Sequence, residues 1–97
     1  MKEKERYIVR CNRAGVFFGE IAKHEGNEVV MRNVRKLWYW DGACAVEELA
    51  KNGTTQPGNC KFTVTIDEMT VIDPVQILPV TGKAAKSLDA VKEWRRG

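Results

Sequence analysis

The run of residues 28–40, between a hairpin signal at His24-Glu25-Gly26-Asn27 and the pair Asp41-Gly42, reads as one long strand. Period two places Val30, Arg32, Val34, Lys36, Trp38 and Trp40 on one face. Val29, Met31, Asn33, Arg35, Leu37 and Tyr39 take the other. Neither face is purely apolar, since each mixes arginine or lysine with aliphatic or aromatic groups. A face of that kind sits in an interface or lines a pocket, so this strand constrains fold and function together.

Gly and Asn accept positive φ cheaply, which favours a tight turn before the strand. With Glu25-Gly26 as a two-residue loop, Ile21 pairs with Val30, Gly19 with Arg32 and Phe17 with Val34. Arg32 then lies opposite a residue without a side chain. A glycine in mid-strand weakens the sheet and often marks close approach by something else.

The remaining elements follow from pattern and punctuation. Tyr7-Ile8-Val9-Arg10-Cys11 is a first strand, Asn12-Arg13-Ala14-Gly15 a turn, and residues 16–23 a second strand. Asp41 can cap a short helix from Ala43 to Lys51, with Val46, Leu49 and Ala50 buried and Asn52-Gly53 as its stop. Residues 61–66 alternate cleanly, with Phe62, Val64 and Ile66 inward, and Asp67-Glu68 turns that strand back towards Met69–Ile72. Pro74 and Pro79 bracket an edge strand. Thr81-Gly82 starts a second helix with Ala84, Ala85 and Leu88 as its stripe. The tail, residues 92–96, continues that helix or adds a last strand, and the helix is the reading taken. The expected fold class is α+β: a small, mostly antiparallel β-sheet domain with two short helices. Residues 1–6 form a flexible arm and 7–97 the single domain.

A chain of 97 residues suffices for one domain. It buries only about 60–70% of the surface its unfolded form exposes, so self-association into a homo-oligomer is expected. Charge is uneven: residues 1–40 carry nine Lys/Arg against five acids, 41–80 two against six, and 81–97 five against two. Basic segments that meet in the fold, or across a subunit interface, make one positive surface. Cys11, Cys44 and Cys60 are an odd count without C-x-x-C spacing. That argues against a disulfide framework or zinc site and for a reducing, cytoplasmic setting. No signal peptide and no apolar run approaching ~18 residues is readable, so no membrane partner is expected.

Catalytic constellations do not assemble. His24, the only histidine, falls in the hairpin turn. Asp67-Glu68 and Glu47-Glu48 are adjacent pairs whose side chains diverge on a strand or helix. Cys44 stands in the first turn of the expected helix but lacks a neighbouring base. Val80-Thr81-Gly82-Lys83-Ala84 fails as a P-loop, lacking the first glycine and the Ser/Thr after lysine. No cofactor is implied. The best candidate is a basic-aromatic constellation. Arg32, Arg35 and Lys36 offer cations, Trp38 and Trp40 offer stacking faces, and the amides of Gly42, Ala43 and Cys44 offer a helix N-terminus to an anion. Lys83 and Arg95 from the basic tail can close the site from a neighbouring subunit. These same residues also suit the core of any small domain.

At Gly15-Val16-Phe17-Phe18-Gly19, Arg35-Lys36-Leu37-Trp38-Tyr39-Trp40-Asp41-Gly42-Ala43 and Asn59-Cys60-Lys61-Phe62-Thr63-Val64, the chain resembles a family of small phage and prophage proteins. That family is catalogued as a domain of unknown function. The resemblance covers most of residues 7–94 and implies a phage origin, with no activity attached. In size, expected oligomerisation and basic-aromatic composition the chain is also similar, as a class, to phage anti-defence sponges. Those proteins hold cyclic nucleotide or ADP-ribose-derived immune signals without cleaving them. The leading expectation is therefore a non-enzymatic, oligomeric protein that sequesters a nucleotide-type ligand in the host cytoplasm. The alternatives are a β-domain binding nucleic acid through the same face, or a phage structural or host-protein-binding module.

Overall fold

The turn signals near the N-terminus produce a three-strand meander. β1 (Arg6–Cys11), β2 (Gly15–Glu25) and β3 (Glu28–Tyr39) pair antiparallel in chain order. The computed structural model describes residues 5–95. β3 is the spine. One edge carries β2, while the other carries β5 (Ile66–Ile72) along its first part and the two-residue β4 (Lys61–Phe62) along its last. β6 (Pro74–Val80) pairs with β1 at the far end of the sheet. With helices α1 (Val46–Asn52) and α2 (Gly82–Asp89) and a 3-10 turn at Pro57–Asn59, the domain is α+β with a six-stranded antiparallel sheet. Among the described residues no helix is long and apolar enough to cross a membrane.

β5 and β6 lie at opposite ends of the hydrogen-bonded order, yet only Asp73 separates them in the chain. The sheet must therefore roll until its two ends meet. Asp73 takes φ +59°, accepts from Asn12 N at 2.9 Å and donates to Asn27 O at 3.0 Å, tying that corner to both meander turns. Rolling creates two cores. Val9, Cys11, Phe17, Val29, Met31, Val34 and Val71 form a cluster that contains strand residues only, so the sheet itself encloses it. Ile8, Phe18, Leu37 and Phe62 point the other way and pack with Val46, Leu49, Leu88 and Val91 from the helical side. Neighbours such as Ile8 and Val9 are both fully buried because each face of the sheet is covered.

Several expectations need correction. The hairpin turn is Gly26-Asn27, with Gly26 at φ +53°, so Glu25 pairs with Glu28 and Ile21 with Met31. Further along, Asn33 adopts φ +48° and bulges β3, an excursion that Asn tolerates better than most residues. Val34 thereby follows Met31 into the same cluster, and the strict alternation through Arg32, Lys36 and Trp38 is broken. The space opposite Gly19 is occupied: a Cβ there would meet Val34 Cα at 2.8 Å and Arg32 O at 2.9 Å. The clean strand at 61–66 stops at Phe62, because Thr63 turns away to bond Lys36 through both its amide and its hydroxyl. Val64 and Ile66 are exposed instead of inward, and β5 runs unbroken through Asp67-Glu68. α1 begins at Val46 rather than Ala43.

At the termini, Arg6 belongs to β1 and grips Asp89 with two hydrogen bonds of 2.9 and 3.1 Å. Of the arm expected at residues 1–6, residues 1–4 lie outside the described residues. The second helix matches its start signal, with Thr81 accepting from Ala84 N at 3.1 Å. It ends at Asp89, and the tail runs extended beside β4, where Glu93 bridges Phe62 and Trp94 N donates to Phe62 O at 2.8 Å.

Candidate functional site

The structure separates the residues that the sequence groups. Arg35 is 5% exposed and sits behind β3 instead of facing solvent. Its Nε donates to Thr63 O at 3.0 Å, and Nη1 donates to Leu88 O at 3.2 Å and Val91 O at 2.9 Å. The guanidinium carbon lies 5.2 Å from the Phe62 ring centroid. Burial pushes its pKa down, while the charges of Asp89 and Glu93 pull it back up. An arginine starts so high that it stays charged. Three carbonyls take Nε and Nη1 of a side chain that is buried, so Arg35 is a structural cation.

Arg32 is exposed and paired with Glu68 at 3.3 Å, on the opposite face from Met31 and hence from Lys36 beyond the bulge. Lys36 is half-buried, its stem lying over Gly15, where an added Cβ would meet Cε at 2.9 Å. The Asp41-Gly42 turn is a knot clamped to the following loop. Gly42 N donates to Asp41 Oδ1 at 2.8 Å, Thr54 Oγ1 to Asp41 O at 2.5 Å, and Thr55 N to Gly42 O at 3.3 Å. Cys44 N already has an anion, Glu48 Oε1 at 2.5 Å. The amides of Gly42, Ala43 and Cys44 therefore do not form an open anion cradle, and Ala43 precedes the helix. Trp40 packs against the helical-side core. Lys83 is exposed at the start of α2, close to the end of α1, where Thr81 Oγ1 bonds Lys51 O at 2.8 Å.

What the structure brings together is a different set. Trp38, 54% exposed, stacks on Trp94, 37% exposed, with ring centroids 4.8 Å apart and planes within 3° of parallel. Lys61 Nζ is 5.5 Å from one centroid and 5.4 Å from the other. Equal distances to two parallel rings put the ammonium beside the stack, so it covers neither outer face. Tyr39, 50% exposed, pairs with Lys61 across β3 and β4, and Arg95 follows Trp94, held at 2.8 Å by Glu93.

Two open clefts flank Trp94 and share Gly58, Cys60 and Trp94 as a wall. The one of about 440 Å³ runs along Lys92 and Glu93, and that of about 390 Å³ along Tyr39, Asp41 and Lys61. Another cleft of about 440 Å³ at Tyr7, Glu20 and Arg32 carries groups already engaged. There Tyr7 donates to Glu5, Asn33 to Glu20 and Arg32 to Glu68.

Of the sequence candidates, then, Trp38 reaches this surface, while Arg95 follows Trp94 in the chain and is engaged by Glu93. Lys61 and Trp94 complete it and were not among the candidates. A signal for Trp94 existed in its position within the basic tail. Lys61 was legible only as a strand residue, because its proximity to Trp38 depends on β4 pairing with the end of β3. Chemically, the arrangement offers a half-exposed indole stack with one cation, Lys61, at its rim. His24 is exposed near the end of β2, with Nε2 3.2 Å from Gly26 O. Among the described residues no group of three or more His, Cys, Asp or Glu is placed to hold a metal ion.

A family model described as a domain of unknown function (DUF6948) matches residues 4–88. No curated protein and no solved structure matches the chain.

Proposed function

This chain belongs to the DUF6948 family, and we propose that it is a non-enzymatic protein that binds and sequesters a nucleotide-type ligand through Trp38, Trp94 and Lys61. The observation that carries the reading is the exposed indole pair with a lysine at its rim. A base stacked on an indole gains roughly 1–3 kcal/mol whatever its identity. Lys61 at the rim, with Lys92 lining the cleft beside Trp94, supplies charge for the attached phosphates. In biological terms the reading is a phage anti-defence sponge acting in the cytoplasm of the infected bacterium, on a cyclic nucleotide or cyclic ADP-ribose-like signal.

Sequestration demands more enclosure than one chain offers, since ligand pockets bury about 70–90% of a small molecule. The reading therefore includes a homo-oligomer in which a second copy supplies the missing wall. Native mass spectrometry of purified protein incubated with cyclic di-AMP or cyclic ADP-ribose tests both parts. The expected result is an oligomer that retains ligand and releases it intact on heating. Recovery of cleaved product sinks the non-enzymatic reading, and absence of retained nucleotide sinks the sponge reading. Trp38→Ala and Lys61→Ala should each weaken binding.

The openness of the platform favours one further reading, nucleic-acid binding across the same indoles. An oligonucleotide then binds with a steep fall of log affinity against log salt. A small ligand held in an oligomer shows a shallower slope.

A further inference from the structure

We infer that Arg35 is the positioning residue of the aromatic platform: it ties the end of α2 to the strand on which the tail lands and so sets the course of residues 92–95 that lays Trp94 on Trp38. The proposal concerns how the platform is built and adds to the binding function proposed for it. The local sequence gives no reason for the helix to stop. Ala90-Val91-Lys92-Glu93-Trp94 contains neither glycine nor proline, and Ala90 itself keeps helical angles at φ −75° and ψ −14°. Yet α2 ends at Asp89.

The last carbonyls of a helix need partners from elsewhere. Here Nη1 of Arg35 takes one of them, Leu88 O, which Val91 N also reaches at 3.4 Å, together with Val91 O just past the helix. Val91 O is thereby held at the point where the chain has left the helical course. The next anchor is the sheet, where Glu93 bridges Phe62 and Trp94 N donates to Phe62 O at 2.8 Å. Phe62 lies beneath the same guanidinium at 5.2 Å. Arg35 thus touches both the end of the helix and the strand residue on which the tail lands, and its third bond, to Thr63 O, fixes the chain just past that residue. A lysine has one ammonium and cannot span three carbonyls from separate segments with a planar fork.

The stack itself supplies the readout. Two parallel indoles at 4.8 Å are close enough for exciton coupling, and the expected couplet is the difference between the parent and Trp94→Phe circular-dichroism spectra, with no ligand needed. Trp94→Phe defines the spectrum without it. Arg35→Met keeps an apolar stem in the core, and the expected result is a couplet reduced at least about twofold in a variant that still unfolds cooperatively. Binding of ADP-ribose, used as the probe, should fall on the order of tenfold with one stacking ring no longer held.

A residue important only for stability would lower the unfolding midpoint and leave the couplet intact. That outcome, a full-strength couplet in folded Arg35→Met, overturns the inference. Should Arg35→Met fail to fold, Arg35→Lys decides in the same way, and a full-strength couplet there overturns it too. If the parent protein binds no nucleotide, the functional reading falls while the couplet still decides the role of Arg35.

Discussion

Gly42 takes φ +81°, and a Cβ on it would stand 2.6 Å from Gln56 N and 2.7 Å from Thr54 Oγ1. Both the dihedral and the contact exclude a side chain, because the Asp41-Gly42 turn is pressed against the 54–56 loop. Gly42→Ala is expected to destabilise the fold by about 1–3 kcal/mol, measured by urea unfolding. Cys11 is a second residue whose surroundings set its chemistry. Burial in the strand-enclosed core raises its thiol pKa above the ordinary 9.0, and the Asp73 charge adds to the effect. A raised acid pKa means that the fold favours the protonated form. Its contribution is therefore complete below pH 9.0 and is lost as pH climbs through the folded value. Unfolding free energy should fall across that alkaline range, and Cys11→Ala should fall less. An equal fall in the variant would assign the effect to other groups.

At the scale of elements, the legible signals are those that act within a few residues. The Thr81 cap is one: its hydroxyl accepts from Ala84 N, so Thr81→Ala should cost about 1 kcal/mol. Thr81→Asn should recover most of it, which separates capping from the extra bond that Oγ1 makes to Lys51 O. The prolines bracketing β6 likewise mark an edge strand, and β6 does stand at one end of the sheet. Residues 61–66 show the opposite case. Their alternation is that of a half-buried strand, yet Thr63 spends its amide and hydroxyl on Lys36 and the pairing stops. The tail fails as a helix for a related reason, since a side chain from β3 takes the carbonyls at its base. In both places a partner distant in sequence outcompetes local preference.

For the whole molecule, the rolled sheet has a testable consequence. The two cores share every strand of the meander, so neither should melt alone. In a Trp38→Phe, Trp94→Phe background the remaining Trp40 packs on the helical side and reports that core by fluorescence, whereas far-UV circular dichroism is dominated by the sheet. Thermal transitions followed by the two probes should coincide. A fluorescence transition that precedes the other would mean that the helical layer detaches while the rolled sheet persists. The site belongs to this scale as well. Trp38, Lys61 and Trp94 come from β3, β4 and the tail, and only the closing of the helical-side core brings them together.

Sequence alone determined the α+β class, the meander, the two helices and the edge position of β6, because turn residues, caps and hydrophobic period act locally. It also placed Trp38 among the candidate binding residues, beside Trp40, Arg32, Arg35 and Lys36, from a run that mixes cations with aromatics. Tertiary structure decided the rest. One bulge at Asn33 moved Arg32 off the face of Lys36. Three carbonyls drew Arg35 into the core, and the carbonyl of Phe62 received the amide of Trp94. Period two carries no record of a bulge, and a charged side chain carries no mark of the carbonyls that will surround it. Such outcomes depend on which segments meet, and that is settled only when the sheet has rolled and the tail has docked.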